Sequence, residues 1–228
     1  TGQTRFQDII RGSVVFENSL IDDFVLLKSD GYPTYHLANI VDDHEMEITH
    51  VIRAEEWLSS TPRHILLYAA MGYTPPQFAH LPLILGPDRS KLSKRHGAVS
   101  VIEYRDQGYL PEAMLNYLTL LGWALDDKTE IFTREDLIKN FSLERVSKTA
   151  AIFNIEKLNW MNGVYIRHLP ADDFAQRAIP FLEKDLPVDV PRPLSMEYVR
   201  QIMPLVQERA KLLSEVTPLS RYFFVENL

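Results

Sequence analysis

The sequence contains no cysteine among its 228 residues, which excludes disulfide bonds and thiolate metal sites together. Its seven histidines offer no substitute. None stands in a His-x-x-x-His spacing, and His44-Glu45 has no second histidine three residues past the glutamate. Long apolar runs are missing as well. Stretches such as Leu81 to Leu85 are strand-sized, far short of the ~18 residues a membrane helix needs. Arg5, Asp8, Arg11 and Glu17 break up the first twenty residues, leaving no apolar core for a secretory signal. These absences predict a cytosolic protein with no metal site of its own and no membrane partner. There is no excess of basic charge either: 31 acidic residues face 24 basic ones, for a net charge of −7. That argues against coating nucleic acid by bulk electrostatics and leaves room only for local basic patches. A hydrophobic content of 46% suffices for one or two domains with a real core.

The first half alternates short apolar runs with helical stretches. Val14–Phe16 and Phe24–Leu27 read as strands, with Ser29-Asp30-Gly31 as the turn that follows. Thr34 is a good N-cap for a helix from Tyr35 to Glu45. Ile48–Arg53 reads as a strand. Thr61-Pro62 starts a helix that Gly72 ends, and Ala79–Leu85 is the next strand. This order predicts a mostly parallel α/β sheet. After about Gly97 only helices are expected. Ser100 and Glu103 form a capping box, Pro111 opens a helix with Met114, Leu115, Leu118 and Leu121 on its apolar face, Thr133 starts another, and Asn154 caps a segment through Met161. The proline-rich step at 187–193 is the linker candidate.

Three segments could carry chemistry. In Gly86-Pro-Asp-Arg-Ser-Lys-Leu-Ser-Lys-Arg-His-Gly97, four of the seven residues from Arg89 to Arg95 are basic, just past an apolar strand. Ligands of open α/β sheets bind outside the carboxyl ends of the strands, and ammonium groups there can follow charge onto a departing pyrophosphate. The alternative is a solvated basic turn. Tyr35 and Asn39, four apart, share a helix face and could fix a small polar ligand; the alternative is a packed phenol and a solvated amide. Arg53 ends an apolar strand, where its planar fork could take a carboxylate bidentately; the alternative is a surface pair with Glu55 or Glu56. Asp42-Asp43-His44 reads as structural, because adjacent helix residues point in different directions.

Together, Asp-Gly-Tyr-Pro-Thr-Tyr-His-Leu-Ala-Asn (30–39), Val-Asp-Asp-His (41–44), Val-Ile-Arg-Ala-Glu-Glu-Trp (51–57), Lys-Leu-Ser-Lys-Arg (91–95) and Trp-Met-Asn-Gly-Val-Tyr-Ile-Arg (160–167) resemble the bacterial glutamyl-tRNA synthetases. The run at 91–95 is similar to the class I signature Lys-Met-Ser-Lys-Ser. The resemblance covers residues 5 to 170 and, more weakly, the rest. It implies activation of L-glutamate with ATP and Mg2+ to glutamyl-adenylate, then transfer to the 3′ end of tRNA(Glu), by a cytoplasmic and monomeric parent enzyme. By position, Tyr35, His36, Leu37, Ala38 and Asn39 would line the glutamate pocket, and Arg53 would hold the side-chain carboxylate. Glu56, Ile84, Lys91, Leu92, Ser93, Lys94 and Arg95 would meet ATP. Lys94 would be the principal catalytic charge, with Lys91 supporting it. Arg145, Lys148, Lys157 and Arg167 are tRNA-contact candidates by charge.

The fold implied is α/β followed by all-α: residues 1–98 as the back half of a Rossmann-like class I catalytic domain, 99–170 as a stem-contact region, and 171–228 as the start of a helical anticodon-binding region. The family's His-Ile-Gly-His element is absent from the sequence. The resemblance therefore implies a central fragment that does not catalyse adenylation by itself. A non-catalytic tRNA-binding or interaction module that keeps the fold is the competing expectation.

Overall fold

Two strands with little apolar content build the start of the first sheet. Gln3–Asp8 (β1) and Gly12–Glu17 (β2) pair antiparallel, in register from Gln3↔Glu17 to Asp8↔Gly12. Gly12, at φ 82°, supplies the left-handed conformation at the reversal. The computed structural model describes residues 2–97 and 100–225 of the chain. The first helix is Tyr35–Glu45 (α1). Thr34 does stand at its N-cap position, but the Thr34 hydroxyl donates to the Val25 carbonyl (2.9 Å) and does not cap the helix. His50–Ala54 (β3) follows, then Thr61–Met71 (α2) with proline at its start. Gly72, at φ 70°, ends α2, and the Tyr73 N–H closes the last turn onto the Tyr68 carbonyl (2.8 Å).

Gln77–Leu81 (β4) returns parallel to β3, with Val51↔Phe78 and Arg53↔His80 in register. β1 pairs parallel to the other edge of β4 at Asp8↔Phe78. The sheet order is β2-β1-β4-β3, so the hairpin makes the sheet mixed where a mostly parallel one was expected. Ile40, Tyr68 and Phe78 are buried between the helices and the sheet, with Phe6, Val51, Ile65, Leu67 and Tyr73 packed around them. Phe24–Leu27, expected as a strand, lies outside the sheet. Val25 and Leu27 are exposed, and the backbone folds on itself through Thr34 N–H to Leu26 O and Lys28 N–H to Tyr32 O. An apolar run without a neighbouring strand has nowhere to place its ladder bonds.

The strand expected over Ala79–Leu85 is split by Pro82, which cannot donate to a ladder, leaving Ile84–Leu85 (β5) as a separate piece. The elements that follow are Val101–Asp106 (α3), Pro111–Leu120 (α4), Arg134–Asn140 (α5), Ala151–Ile152 (β6), Ile155–His168 (α6), Ala171–Asp185 (α7), Met196–Gln207 (α8) and Val216–Ser220 (α9). The Ser100–Glu103 capping box is present, and the Asn154 side chain accepts the Lys157 N–H (3.0 Å). β6, pairing with β5, is an exception to the helices-only expectation. The face of α4 also differs from its reading. Ala113, Met114 and Tyr117 are buried, together with Leu110 and Leu121, whereas Leu115 and Leu118 are exposed. The i, i+3, i+4, i+7 series from Leu110 defines the stripe.

The chain forms two compact units, Thr1–Ile84 with Phe141–Ala151, and Leu85–Asn140 with Ile152–Leu228. They divide the chain at other points than 98/99 and 170/171. In the second unit α7, α8 and α9 enclose a core that includes Leu110, Ile166, Phe174, Leu182, Met203 and Val216. The linker candidate at 187–193 lies within that unit. Leu186 and Val190 are buried in its core, and the Arg192 guanidinium pins the segment through the carbonyls of Glu183, Leu186, Pro187 and Val190.

Candidate functional site

Three parallel strand ends converge in the first unit. β1 ends at Asp8 beside β4, and Arg53 of β3 stands in register with His80 of β4. Register puts the Arg53 and His80 side chains on one face of the sheet, and the two side chains bond: Arg53 Nε donates to His80 Nε2 (3.2 Å). Arg53 Nη2 donates to the Thr61 hydroxyl (3.0 Å) and lies 3.4 Å from His64 Nδ1, and Nη1 lies 3.4 Å from the Tyr35 hydroxyl. Every partner is neutral. Among the described residues, no carboxylate lies within ion-pair distance of Arg53. Glu55, its expected surface partner, instead pairs with Arg11 (2.6 Å) and accepts the Leu83 N–H. Arg53 is thus half-buried with neutral hydrogen-bond partners, and the Asp43 carboxyl acts on it through space, beyond ion-pair distance.

Behind Arg53 the network is fully enclosed. Asp8, Thr61, His64 and His80 are buried. Asp8 Oδ2 lies 2.6 Å from His80 Nδ1, and Asp8 Oδ1 accepts the backbone N–H groups of Ile10 and Arg11. Burial would raise the Asp8 carboxyl, but the Arg11 N–H, the His80 ring and the His80 N–H outweigh it and hold the carboxyl below its ordinary value. Burial, opposed by the Asp8 bond and charge and joined by the charges of Arg53 and Arg11, leaves His80 below its own. Burial, and then the Arg53 charge, push His64 down to about 3. At neutral pH the Asp8 carboxylate and the guanidiniums of Arg53 and Arg11 thus border neutral imidazoles.

The structure brings Tyr35 to Arg53, and Trp57 stacks obliquely on the Tyr35 ring at 4.9 Å. His36 reaches the same cluster through His64, Nδ1 to Nε2 at 2.9 Å. Leu37 and Ala38 are half-buried on α1. The Asn39 side-chain oxygen is buried with no hydrogen-bond partner among the described residues. Glu56 is exposed in the short turn after β3, and Ile84 closes the first unit.

Lys91 to Arg95 belong to the second unit. The loop leaves β5 through a turn in which Gly86 N–H bonds to Ser90 O (2.8 Å) and Arg89 takes φ 62°. A bridge joins Leu85 to Lys91. Asp88 accepts from the Ser90 hydroxyl (2.7 Å) and from Arg95 (3.2 Å), and Lys94 begins a single 3₁₀ turn. Lys91, Lys94 and Arg95 are exposed, and Leu92 and Ser93 are half-buried. Arg95 is therefore tied into the loop's own frame. Among the described residues no group of three or more His, Asp or Glu side chains is placed to hold a metal, and no helix is long and apolar enough to cross a membrane.

Sequence reasoning did not single out Asp8, Thr61, His64 or His80. The one available signal was an imidazole inside the apolar strand Phe78-Ala79-His80-Leu81, which by itself reads as a core histidine.

Comparison with known proteins follows the same lines. The chain is 65% identical over 227 residues to a glutamate–tRNA ligase of Dehalococcoides mccartyi, covering all of this chain and 47% of that relative. It is 54% identical to the Moorella thermoacetica glutamate–tRNA ligase, over 99% of this chain and 46% of the relative. A solved glutamate tRNA ligase from Elizabethkingia meningosepticum, in complex with its amino acid, superposes with a TM-score of 0.84 at 40% identity, over 98% of this chain and 47% of that one. The chain spans about half the length of the relatives it matches. A second family model, the anticodon binding domain, matches residues 173–228. The model of the catalytic domain of class I tRNA synthetases (E and Q) matches residues 1–160, well over half the sequence, and the chain belongs to that family.

Proposed function

We propose that this chain carries the glutamate side-chain pocket and the ATP-phosphate loop of a glutamate–tRNA ligase, which joins L-glutamate to ATP as glutamyl-adenylate and passes the glutamyl group to the 3′ end of tRNA(Glu). The observation that carries the reading is Arg53, half-buried at the carboxyl end of β3, held only by neutral partners and without an acid. A glutamate γ-carboxylate completes it. Glutamine leaves the guanidinium without a counter-charge, so the site rejects the amide. Tyr35, whose hydroxyl lies 3.4 Å from Arg53, and Asn39, one turn further along α1, then orient the amino acid. The expected ATP contacts are Glu56, Ile84 and Lys91 to Arg95. Lys94, with Lys91 in support, stabilises charge that develops on the pyrophosphate, and Mg2+ enters as part of the nucleotide substrate. The parent enzyme in this reading is monomeric and cytoplasmic, the latter in keeping with the family's role in translation. Contacts to tRNA(Glu) run to its phosphates and sugars, with Arg145, Lys148, Lys157 and Arg167 as the candidates.

Titration calorimetry of L-glutamate and L-glutamine into the protein tests the reading. Glutamate binds in preference to glutamine, and Arg53→Gln weakens glutamate by about a hundredfold or more, the cost of removing one member of a desolvated charge pair. Equal binding of the two amino acids, or an indifferent Arg53→Gln variant, would overturn it.

A further inference from the structure

We propose that Asp8 and His80 are positioning residues for Arg53, acting by fixing the histidine tautomer. The inference rests on the proposed glutamate pocket for its consequence, but not for its geometry. His80 is completely buried, with one ring nitrogen toward Asp8 and the other toward Arg53 and Thr61. Nδ1 lies 2.6 Å from an Asp8 oxygen, and Nε2 lies 3.2 Å from Arg53 Nε. Arg53 Nε always carries its hydrogen, so Nε2 must present a lone pair. A carboxylate has no hydrogen to give, so Nδ1 must be the protonated nitrogen. The Thr61 hydroxyl, 3.1 Å from Nε2, can donate or accept and suits either tautomer, so Asp8 and Arg53 make the selection, and both select the same one.

Asp8 is itself immobilised. Its Oδ1 accepts from Ile10 N–H (3.0 Å) and Arg11 N–H (2.8 Å), and the His80 N–H lies 3.2 Å from Oδ2. The relay therefore runs from the backbone of the β1–β2 turn through Asp8 and His80 to the side of the guanidinium that faces away from a ligand. With Nε committed to His80 and one Nη2 hydrogen to Thr61, the rotation of the Arg53 fork is set. Of the remaining N–H groups, Nη2 has a long contact to His64 Nδ1 (3.4 Å) and Nη1 one to the Tyr35 hydroxyl (3.4 Å), and it is on the Nη1 side that the scheme seats the carboxylate. Neither Asp8 nor His80 touches the ligand in this scheme.

The relay predicts an unusual response to a near-isosteric change. In Asp8→Asn, the carboxamide oxygen keeps the two turn N–H groups, so the amide NH2 is left facing His80 Nδ1. That nitrogen must then accept, the proton moves to Nε2, and Nε2–H turns to the Thr61 hydroxyl, so that Arg53 Nε–H loses its acceptor. The same logic holds wherever an aspartate orients a histidine, since the amide selects the wrong tautomer. His80→Gln is the complementary change. Its side-chain oxygen takes the place of the Nε2 lone pair and needs no help from Asp8.

The experiment uses the protein labelled with 15N-histidine and 15N-arginine, with long-range 1H–15N spectra at neutral pH and an L-glutamate titration of the same samples. The wild type shows His80 protonated at Nδ1 and unprotonated at Nε2, with a slowly exchanging Arg53 Nε–H. Asp8→Asn shows the reverse His80 tautomer, loses the protected Arg53 signal and binds glutamate about tenfold or more weaker, as an unsatisfied buried donor costs. His80→Gln keeps the protected Arg53 signal, and adding Asp8→Asn to it causes little further loss. Circular dichroism at each step separates this pattern from unfolding. If Asp8→Asn does not fold, the wild-type tautomer and the His80→Gln spectrum decide the matter. Protonated Nε2 in the wild type, or an Arg53 signal indifferent to either substitution, would overturn the relay. A wild type with the stated tautomer and no affinity for glutamate would instead overturn the proposed pocket and leave the relay standing.

Discussion

Acidification from pH 7 to 5 removes stability from the first unit through His64, with His36 and His80, also held below the ordinary imidazole value, acting in the same direction. The ring is 1% exposed on α2, and it is faced by His36 on α1, Arg53 on β3, His80 on β4 and Arg63 on its own helix, all of which oppose its protonation. In the folded protein it titrates near 3, against 6.5 when free. Between those values the unfolded chain takes up a proton that the folded one refuses, so stability rises with pH across this window and falls on acidification. At 1.36 kcal/mol per unit, the loss from pH 7 to 5 amounts to about 2 kcal/mol from His64 alone. Asp8, held below its ordinary value, contributes nothing in this window. Its stabilisation is present above the ordinary carboxylate range and is lost only as pH falls through the lowered folded value. The assay is urea unfolding at both pH values, followed through Trp57 with Trp123 and Trp160 replaced by phenylalanine, in wild type and in His64→Gln. The variant should be less sensitive to acid by about 2 kcal/mol. Equal acid sensitivity in the two proteins would refute the reasoning.

Two further outcomes concern the second unit. Gly108 has φ +92°, and a Cβ there would stand 2.6 Å from the Ser214 nitrogen and 2.7 Å from that of Leu213. Gly108→Ala should therefore cost about 3 kcal/mol or more in urea unfolding read through Trp123, from backbone strain and overpacking together. Tyr117 is buried, its hydroxyl donating to the Asn154 carbonyl (2.9 Å) and accepting the Asn154 N–H (2.7 Å). Tyr117→Phe leaves the Asn154 N–H unpaired, while the Asn154 carbonyl keeps the Leu158 N–H (3.1 Å), and should cost about 2 kcal/mol, with a calorimetric melting temperature as the check.

Legibility from sequence followed the range of the interaction. α2 could be read from Thr61-Pro62 and Gly72 because its start and stop are local chemistry. The capping box at Ser100 was readable for the same reason. Arg53 stood out because a guanidinium ending an apolar run is anomalous within a few residues. The side chains that hold it were not readable. Asp8 and His80 are 72 residues apart, and nothing local says that β1 lies beside β4. The misread face of α4 and the misplaced strand at Phe24–Leu27 share a cause. Apolar residues identify an element that could be buried, but the neighbour that buries it is chosen by the tertiary fold.

The first unit borrows residues 141–151 from far along the chain. Lys148 is among them: its carbonyl accepts from Arg11 Nη1 (2.9 Å), and its ammonium donates to the Arg11 carbonyl (3.2 Å). Arg11 is also the partner of Glu55 and a donor to the His80 carbonyl. A gene cut after the lysine loop would thus deliver Arg53 and the side chains that hold it without the strap that ties down the β1–β2 turn. In evolutionary exchange, the pocket cannot travel as a single cassette. A donor sequence must bring two separated stretches, or a graft must re-match Arg11 to whatever stands at position 148.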